Sequence, residues 1–312
     1  MKKWWIIITG IAMLLLVLIR LKYTGSIILH GTVKHNCYTI THLLLKLGAN
    51  PDGDIENDGD TPLFEATSNH NKEIVILLLK YKADPDIIRP SGYHGCITVL
   101  HKAIEVNDVG ITKILIERRA SINIAMLENI NLEYATPLFE AVEVGNIDIV
   151  KMLLAHGAVV DDGGFQQQTP AQLAAKKGLM KILQLLLTYG ADKEKAIKSA
   201  VSGDRVEIVK YLINTGNYSY VGHYVPSATS VKMLKYLLAC GANINDRDKI
   251  GRTLLHTVVS DCNLRMVQYV LQNGANANIR DFDGNTPLDI SIPESDIAKY
   301  IKKYGGKHGK DL

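Results

Sequence analysis

The chain has 312 residues with 35 Lys and Arg against 32 Asp and Glu, and this net charge of +3 gives no global basis for holding a polyanion such as nucleic acid. Aromatic residues make up 6% and prolines number 9, a composition suited to helices packed on helices rather than to a β-sandwich. The four cysteines, Cys37, Cys96, Cys240 and Cys262, are far apart and unpatterned, which argues against a zinc ribbon or a disulfide framework and fits reduced thiols in a reducing compartment.

Met1-Lys2-Lys3 is followed by an uncharged run from Trp4 to Ile19, closed by Arg20 and Lys22. As a helix the run rises ~24 Å, short of a hydrocarbon core of ~30 Å. Trp4 and Trp5 at one end, and snorkelling Arg20 and Lys22 at the other, extend its reach. The expectation is a signal anchor over residues 1–23, a single transmembrane helix suited to a thin, endoplasmic reticulum-type bilayer. Two other readings stand beside it. A cleaved signal peptide lacks a small-x-small site directly after the run, and a buried cap helix is opposed by a run apolar on every face. The flanking positive charges nearly balance, and the unpaired cysteines favour repeats that face the cytosol.

From residue 24 the sequence repeats. The clearest copy begins at Asp248: Thr253-Leu254-Leu255-His256 opens a short apolar segment, a polar break and a Val/Leu-rich segment follow, and Gly274-Ala275-Asn276 closes it. Thr253 recurs as Thr286, 33 residues on, a period that marks an array in which each unit packs on its neighbours. Residues 24–57 read as a degenerate capping unit, with Ile27-Ile28-Leu29-His30 at its opening and Gly48-Ala49-Asn50 at its close. Over residues 58–193 four units open at Thr61-Pro62-Leu63-Phe64, Thr98-Val99-Leu100-His101, Thr136-Pro137-Leu138-Phe139 and Thr169-Pro170-Ala171-Gln172. Insertions from Ile88 to Cys96 and from Ile124 to Tyr134 flank the second of these openings. Residues 194–247 hold two shortened units, each read as a helix pair without its connecting finger. Two more units fill 248–305, and 306–312 is a polar tail with no structural signal of its own. Thr can N-cap a first helix with Pro at its first position, and Gly can supply the left-handed residue that ends the second.

The Thr-(Pro)-Leu-(His/Phe) openings, the Leu-rich rows and the Gly-Ala closes resemble the ankyrin repeat over nearly everything after residue 25. The resemblance implies an all-α solenoid of helix pairs with short β-hairpin fingers, whose usual work is binding protein. It implies a hydrogen-bonding, structural role for His30, His101 and His256. It also places partner contacts at finger tips and at the ends of first helices: Asn57, Asp58, Asp60, Ser68 and Asn69, then Glu143 and Val144, then Lys176 and Lys177. Near the C-terminus it marks Lys249, Ile250, Arg252 and Asp261, followed by Phe282, Asp283 and Asn285.

No phosphate loop, catalytic constellation or metal motif stands in the sequence, so no enzyme activity, cofactor or metal is expected. The acidic clusters Asp52-Gly53-Asp54 and Asp58-Gly59-Asp60 read as turn residues rather than calcium ligands. Trimmed and inserted units, many Asn, Ile and Lys residues, and Phe at the opening His position resemble the ankyrin proteins of large DNA viruses, poxviruses especially. Many of those end in an F-box-like segment that is not seen here, so ligase recruitment is not expected. The expectation is a membrane-tethered adaptor or decoy that captures a host protein, touching lipid through Trp4 to Ile19 and binding no nucleic acid. The alternative is a secreted or periplasmic ankyrin protein released by signal cleavage, acting as an inhibitor or protective binder.

Overall fold

The computed structural model of the chain describes residues 28–53, 60–90, 96–128, 133–164, 167–216 and 221–312. The expected anchor Trp4–Ile19 lies outside the described residues, as do Asn57 and Asp58. Among the described residues, no helix is long and apolar enough to cross a membrane. The chain divides into two compact units, Met1–Pro170 and Ala171–Leu312.

In the first unit, residues 28–34 are helical and precede α1 (Tyr38–Lys46). Then come α2 (Pro62–Ser68), α3 (Lys72–Lys80), α4 (Val99–Glu105), α5 (Val109–Glu117), α6 (Pro137–Val144) and α7 (Ile147–Ala155). The helices stack in two rows, α2–α4–α6 and α1–α3–α5–α7. Local chemistry starts α2 to α7, while Cys37 ahead of α1 makes no side-chain cap. The hydroxyls of Thr61, Thr98 and Thr136 accept the backbone N–H of Phe64, His101 and Phe139, and Pro62 and Pro137 follow directly, where a missing N–H costs nothing. The polar break is a turn plus a second cap. His70, Asn107 and Gly145 take left-handed backbone at φ 54°, 56° and 81°, after which Asn71, Asp108 and Asn146 cap the next helix.

The second helices end alike. Gly48, Lys82, Arg119 and Gly157 sit at φ 92°, 68°, 66° and 91°. The next N–H, from Ala49, Ala83, Ala120 or Ala158, turns back to a carbonyl of the last turn. The two insertions pair with each other. Strands β1 (Arg89–Pro90), β2 (Cys96–Ile97), β3 (Met126–Glu128) and β4 (Glu133–Ala135) form one antiparallel sheet in that order, joined where Cys96 faces Leu127.

The second unit continues the pattern with α8 (Pro170–Lys177), α9 (Met180–Thr188), α10 (Lys193–Ser202) and α11 (Val206–Asn214). Further on stand α12 (Val231–Ala239), α13 (Leu254–Ser260), α14 (Leu264–Gln272) and α15 (Asp296–Lys303). Two expectations are corrected. The second shortened unit is not a pair of α-helices: its first member is the 3-10 helix Gly222–Ser227, with Pro226 inside it. Pro226 has no N–H to give and crowds the carbonyl one turn back, so an α-helix does not propagate through it. The short helix packs between α10 and α13 in the inner row.

The tail 306–312 is also built into the fold rather than loose. Asp289 gathers the N–H of Thr286 and of Gly309, each at 2.8 Å, and His308 Nδ1 lies 2.8 Å from its other oxygen. Thr286 Oγ1 donates to the carbonyl of Lys307 at 2.7 Å, Lys307 N donates to Asn278 Oδ1 at 2.8 Å, and Arg280 reaches the carbonyl of Gly309. Gly309 is needed there, because a Cβ would collide with the Gly284 carbonyl.

Two histidines tie units together. His101 Nδ1 lies 2.8 Å from Thr98 Oγ1, and its Nε2 donates to the carbonyl of Ala135 at 3.2 Å. His256 repeats this: Nδ1 accepts the Thr253 N–H at 3.1 Å and Nε2 donates to the Asn285 carbonyl at 3.1 Å. At the same position Phe139 instead packs under Gly164, where a Cβ would strike its ring.

Burial pushes His101 down from 6.5 to about 4, partly opposed by the bond to Ala135. The fold thus favours the neutral ring. Its contribution is fully present above pH 6.5 and is lost as pH falls towards 4. Denaturant titrations at pH 7 and pH 5 should show about 2 kcal/mol less from this group at the lower pH, and His101→Phe should flatten the slope. Lys82 and Arg119 occupy positions glycine fills elsewhere, so Lys82→Gly and Arg119→Gly should each raise the unfolding free energy by roughly 0.5–1 kcal/mol in the same assay.

Candidate protein-binding surface

The fingers of the second unit are built by carboxylates. Asp248 Oδ1 accepts the N–H of Ile250 at 3.0 Å and of Arg252 at 2.8 Å. Asp281 Oδ1 accepts those of Asp283 at 3.1 Å and Asn285 at 2.8 Å. Each turn then passes a left-handed glycine, Gly251 at φ 80° and Gly284 at φ 84°. Asp281 is buried, with its other oxygen 3.6 Å from Arg252 Nε. Burial alone would raise its pKa, but the Asn285 and Asp283 N–H groups and the neighbouring His256 hold it below the ordinary carboxylate range.

This rigid base presents two apolar side chains to solvent. Phe282 is 71% exposed and Ile250 54% exposed, on fingers joined by Phe282 N–H to the Ile250 carbonyl at 3.1 Å. Gly251 seats the ring: a Cβ there would lie 2.6 Å from Phe282. The Arg247 guanidinium stands 5.9 Å from the ring centroid, so a cation flanks the apolar tip.

The positions expected to meet a partner fall into three groups. Lys249, Ile250, Phe282 and Asp283 are exposed together on these adjoining tips. Arg252 and Asn285 belong to the finger's frame, one beside Asp281 and the other bonded to both Asp281 and His256. The rest stand apart. In the first unit Asn69 and Glu143 are exposed, while Asp60, Ser68 and Val144 are half-buried. In the second, Lys176 and Lys177 end α8 and Asp261 ends α13, all three exposed.

Sequence reasoning missed a cleft of about 440 Å³ between the start of α10, the 3-10 helix and the finger tip, lined by Lys195, Lys198, His223, Tyr224, Lys249 and Ile250 among others. Its signal was available as the 25-residue interval from Gly216 to Gly241 with Pro226 inside it. It was also available in the charge. From Ala171 onward the chain carries 20 Lys and Arg against 13 Asp and Glu, whereas up to Pro170 the counts are 15 and 19.

Capped helix pairs, left-handed closes and carboxylate-held fingers define a stacked helical-repeat protein. Family models for ankyrin repeats match residues 9–89, 87–163 and 237–291. The chain belongs to the ankyrin-repeat family, a class of protein-binding scaffolds. It is 33% identical over 137 residues to an ankyrin repeat protein of fowlpox virus, covering 44% of this chain and 29% of that protein. A second fowlpox ankyrin repeat protein is 30% identical over 256 residues, covering 71% and 46%. The chicken nuclear factor NF-kappa-B p105 subunit is 31% identical over 150 residues, covering 48% and 15%. The chain thus matches less than half the length of each of these relatives. Among solved structures, the human ASB11 ankyrin repeat domain aligns at a TM-score of 0.46 and 22% identity, covering 79% of this chain and 99% of that one.

Stability and binding should separate within one finger. Asp281→Ala strips two backbone N–H groups of their acceptor and removes the carboxylate facing Arg252, and should cost about 2–3 kcal/mol in denaturant unfolding. Phe282→Ala, one residue on, should stay within about 0.5 kcal/mol because the ring is largely in solvent.

Proposed function

We propose that the chain is a membrane-tethered ankyrin scaffold that captures a host protein for a virus or an intracellular pathogen. The observation that carries the capture is the pair of exposed apolar side chains, Ile250 and Phe282, held on finger tips by a frame that does not need them. Large exposed apolar groups on a rigid base, with a cation beside the ring, have the character of interface anchors. The viral setting is supported by similarity to the fowlpox ankyrin proteins. The tether is supported by the apolar run Trp4–Ile19, which in this reading sits in an endoplasmic reticulum-type bilayer with the repeats towards the cytosol. The first ankyrin-model match begins at residue 9 and so overlaps that run.

Membranes from expressing cells are extracted with carbonate, and intact vesicles are treated with protease. Full-length chain retained in the pellet with its repeats digested is the expected result. A species shortened by the leader in the soluble or luminal fraction turns the reading to a secreted binder, and release of full-length chain by carbonate removes the tether. Cross-linking capture is then run with the native chain and Phe282→Asp, which should recover roughly tenfold less partner. Equal recovery moves the contact away from the finger tips.

A further inference from the structure

We propose that the cleft of the second unit binds an acidic peptide segment of the captured protein; this rests on the scaffold reading above and assigns the partner's chemistry. The cleft exists because two elements of the repeat are missing. Asp192 caps α10 only two residues after Gly190, so no finger separates them, and Pro226 holds the next inner helix to one short 3-10 stretch. The space left between α10 and the finger of Asp248 measures about 440 Å³, within the range of ligand pockets.

Formal charges on its wall balance, with Asp192, Glu194 and Asp248 against Lys195, Lys198 and Lys249, and what sets them apart is which already have partners. Of the acids on the wall, Asp192 Oδ1 accepts the Lys195 N–H at 3.1 Å, and Asp248 Oδ1 accepts two backbone N–H groups of its turn. Lys195 keeps a 3.7 Å contact with Asp192. Lys198 and Lys249 have no hydrogen bond or ion pair among the described residues, and both face the cleft. Two ammonium groups are therefore open to carboxylates, in a unit whose basic residues outnumber its acids 20 to 13 and so attract acidic segments at a distance. Glu194 on the same wall would repel a continuous phosphate backbone, whereas a peptide can offer it an N–H. Half-exposed Ile250 gives an aliphatic side chain a surface to lie on. These features fit a short stretch with acidic residues on either side of one aliphatic residue.

The full chain in detergent is panned against a displayed random-peptide library, alongside a Lys198→Glu/Lys249→Glu variant and Ile250→Asp, with melting curves to confirm that each folds. The native chain should enrich peptides rich in Asp and Glu around an aliphatic residue. A synthetic copy of an enriched peptide should bind about tenfold or more weakly to the double variant, and should weaken as salt rises past ~0.15 M. The same peptide with Lys in place of its acids should prefer the double variant. Ile250→Asp, which leaves both lysines in place, should still weaken the acidic peptide.

Enrichment of neutral or basic peptides overturns the proposal, as does acidic-peptide binding that ignores the charge reversal. So does a single-stranded DNA oligomer that binds more tightly than any peptide with the same lysine dependence, since the cleft would then be a nucleic-acid site. If Phe282→Asp abolishes host-protein capture while the library shows no acidic preference, this inference falls and the scaffold reading stands. If the native chain captures neither, both fall.

Discussion

No unit of this chain can bury both faces of its own helix pair, and the rest of the structure answers to that constraint. The comparison of α1 with α3 makes it concrete. Ile74 and Leu77 are 0% and 4% exposed, packed against the unit before them. Their counterparts Ile40 and Leu43 in α1 are 49% and 55% exposed. The same side chains at the same helix positions are core in one unit and surface in another. Burial is thus a property of the stack rather than of the unit.

In the last described unit polar chemistry takes the place of an inner helix. Asp289 stands where an inner helix would begin, and it collects hydrogen bonds from Thr286, His308 and Gly309. Burial would raise its pKa, but the Thr286 and Gly309 N–H groups and His308 hold it far below the ordinary carboxylate range, so the carboxylate stays charged at neutral pH. With Arg280 holding the Gly309 carbonyl and Asn278 accepting the Lys307 N–H, residues 306–312 are tied to the unit before them.

What the sequence made legible is what is local. Thr61, Thr98 and Thr136 accept N–H groups only three residues on, and the left-handed closes lie within a single turn, so composition and spacing reveal them. The tail was missed because its partners Asp289, Asn278 and Arg280 lie 19 to 29 residues upstream, beyond any periodic signal. Arg252 and Asn285 carry the pattern of partner contacts because they sit in the finger. There the deciding fact is geometric: one side chain runs inward to Asp281, and the other residue's backbone is shared by Asp281 and His256. Lys249, Ile250 and Phe282, in the same turns, point out. A family pattern marks the loop, and the fold decides which of its residues are free.

The cleft follows the same logic in reverse, since it is made by what the sequence omits. In a regular array every finger abuts the next, and the carboxylate that holds each turn is consumed by backbone N–H groups. Removing a finger and shortening one inner helix leaves those carboxylates as occupied as before, while the lysines around them keep their charge. Asp192 and Asp248 remain bound to N–H groups, whereas Lys198 and Lys249 face open space. Degeneration of the repeat therefore does not simply weaken the array. It leaves a recess in which three carboxylates balance three ammonium groups, but in which the carboxylates of Asp192 and Asp248 are tied to turn N–H groups while Lys198 and Lys249 are left without a partner among the described residues. An overall charge of +3 hides that division, and the segment where the period breaks is where it is expressed.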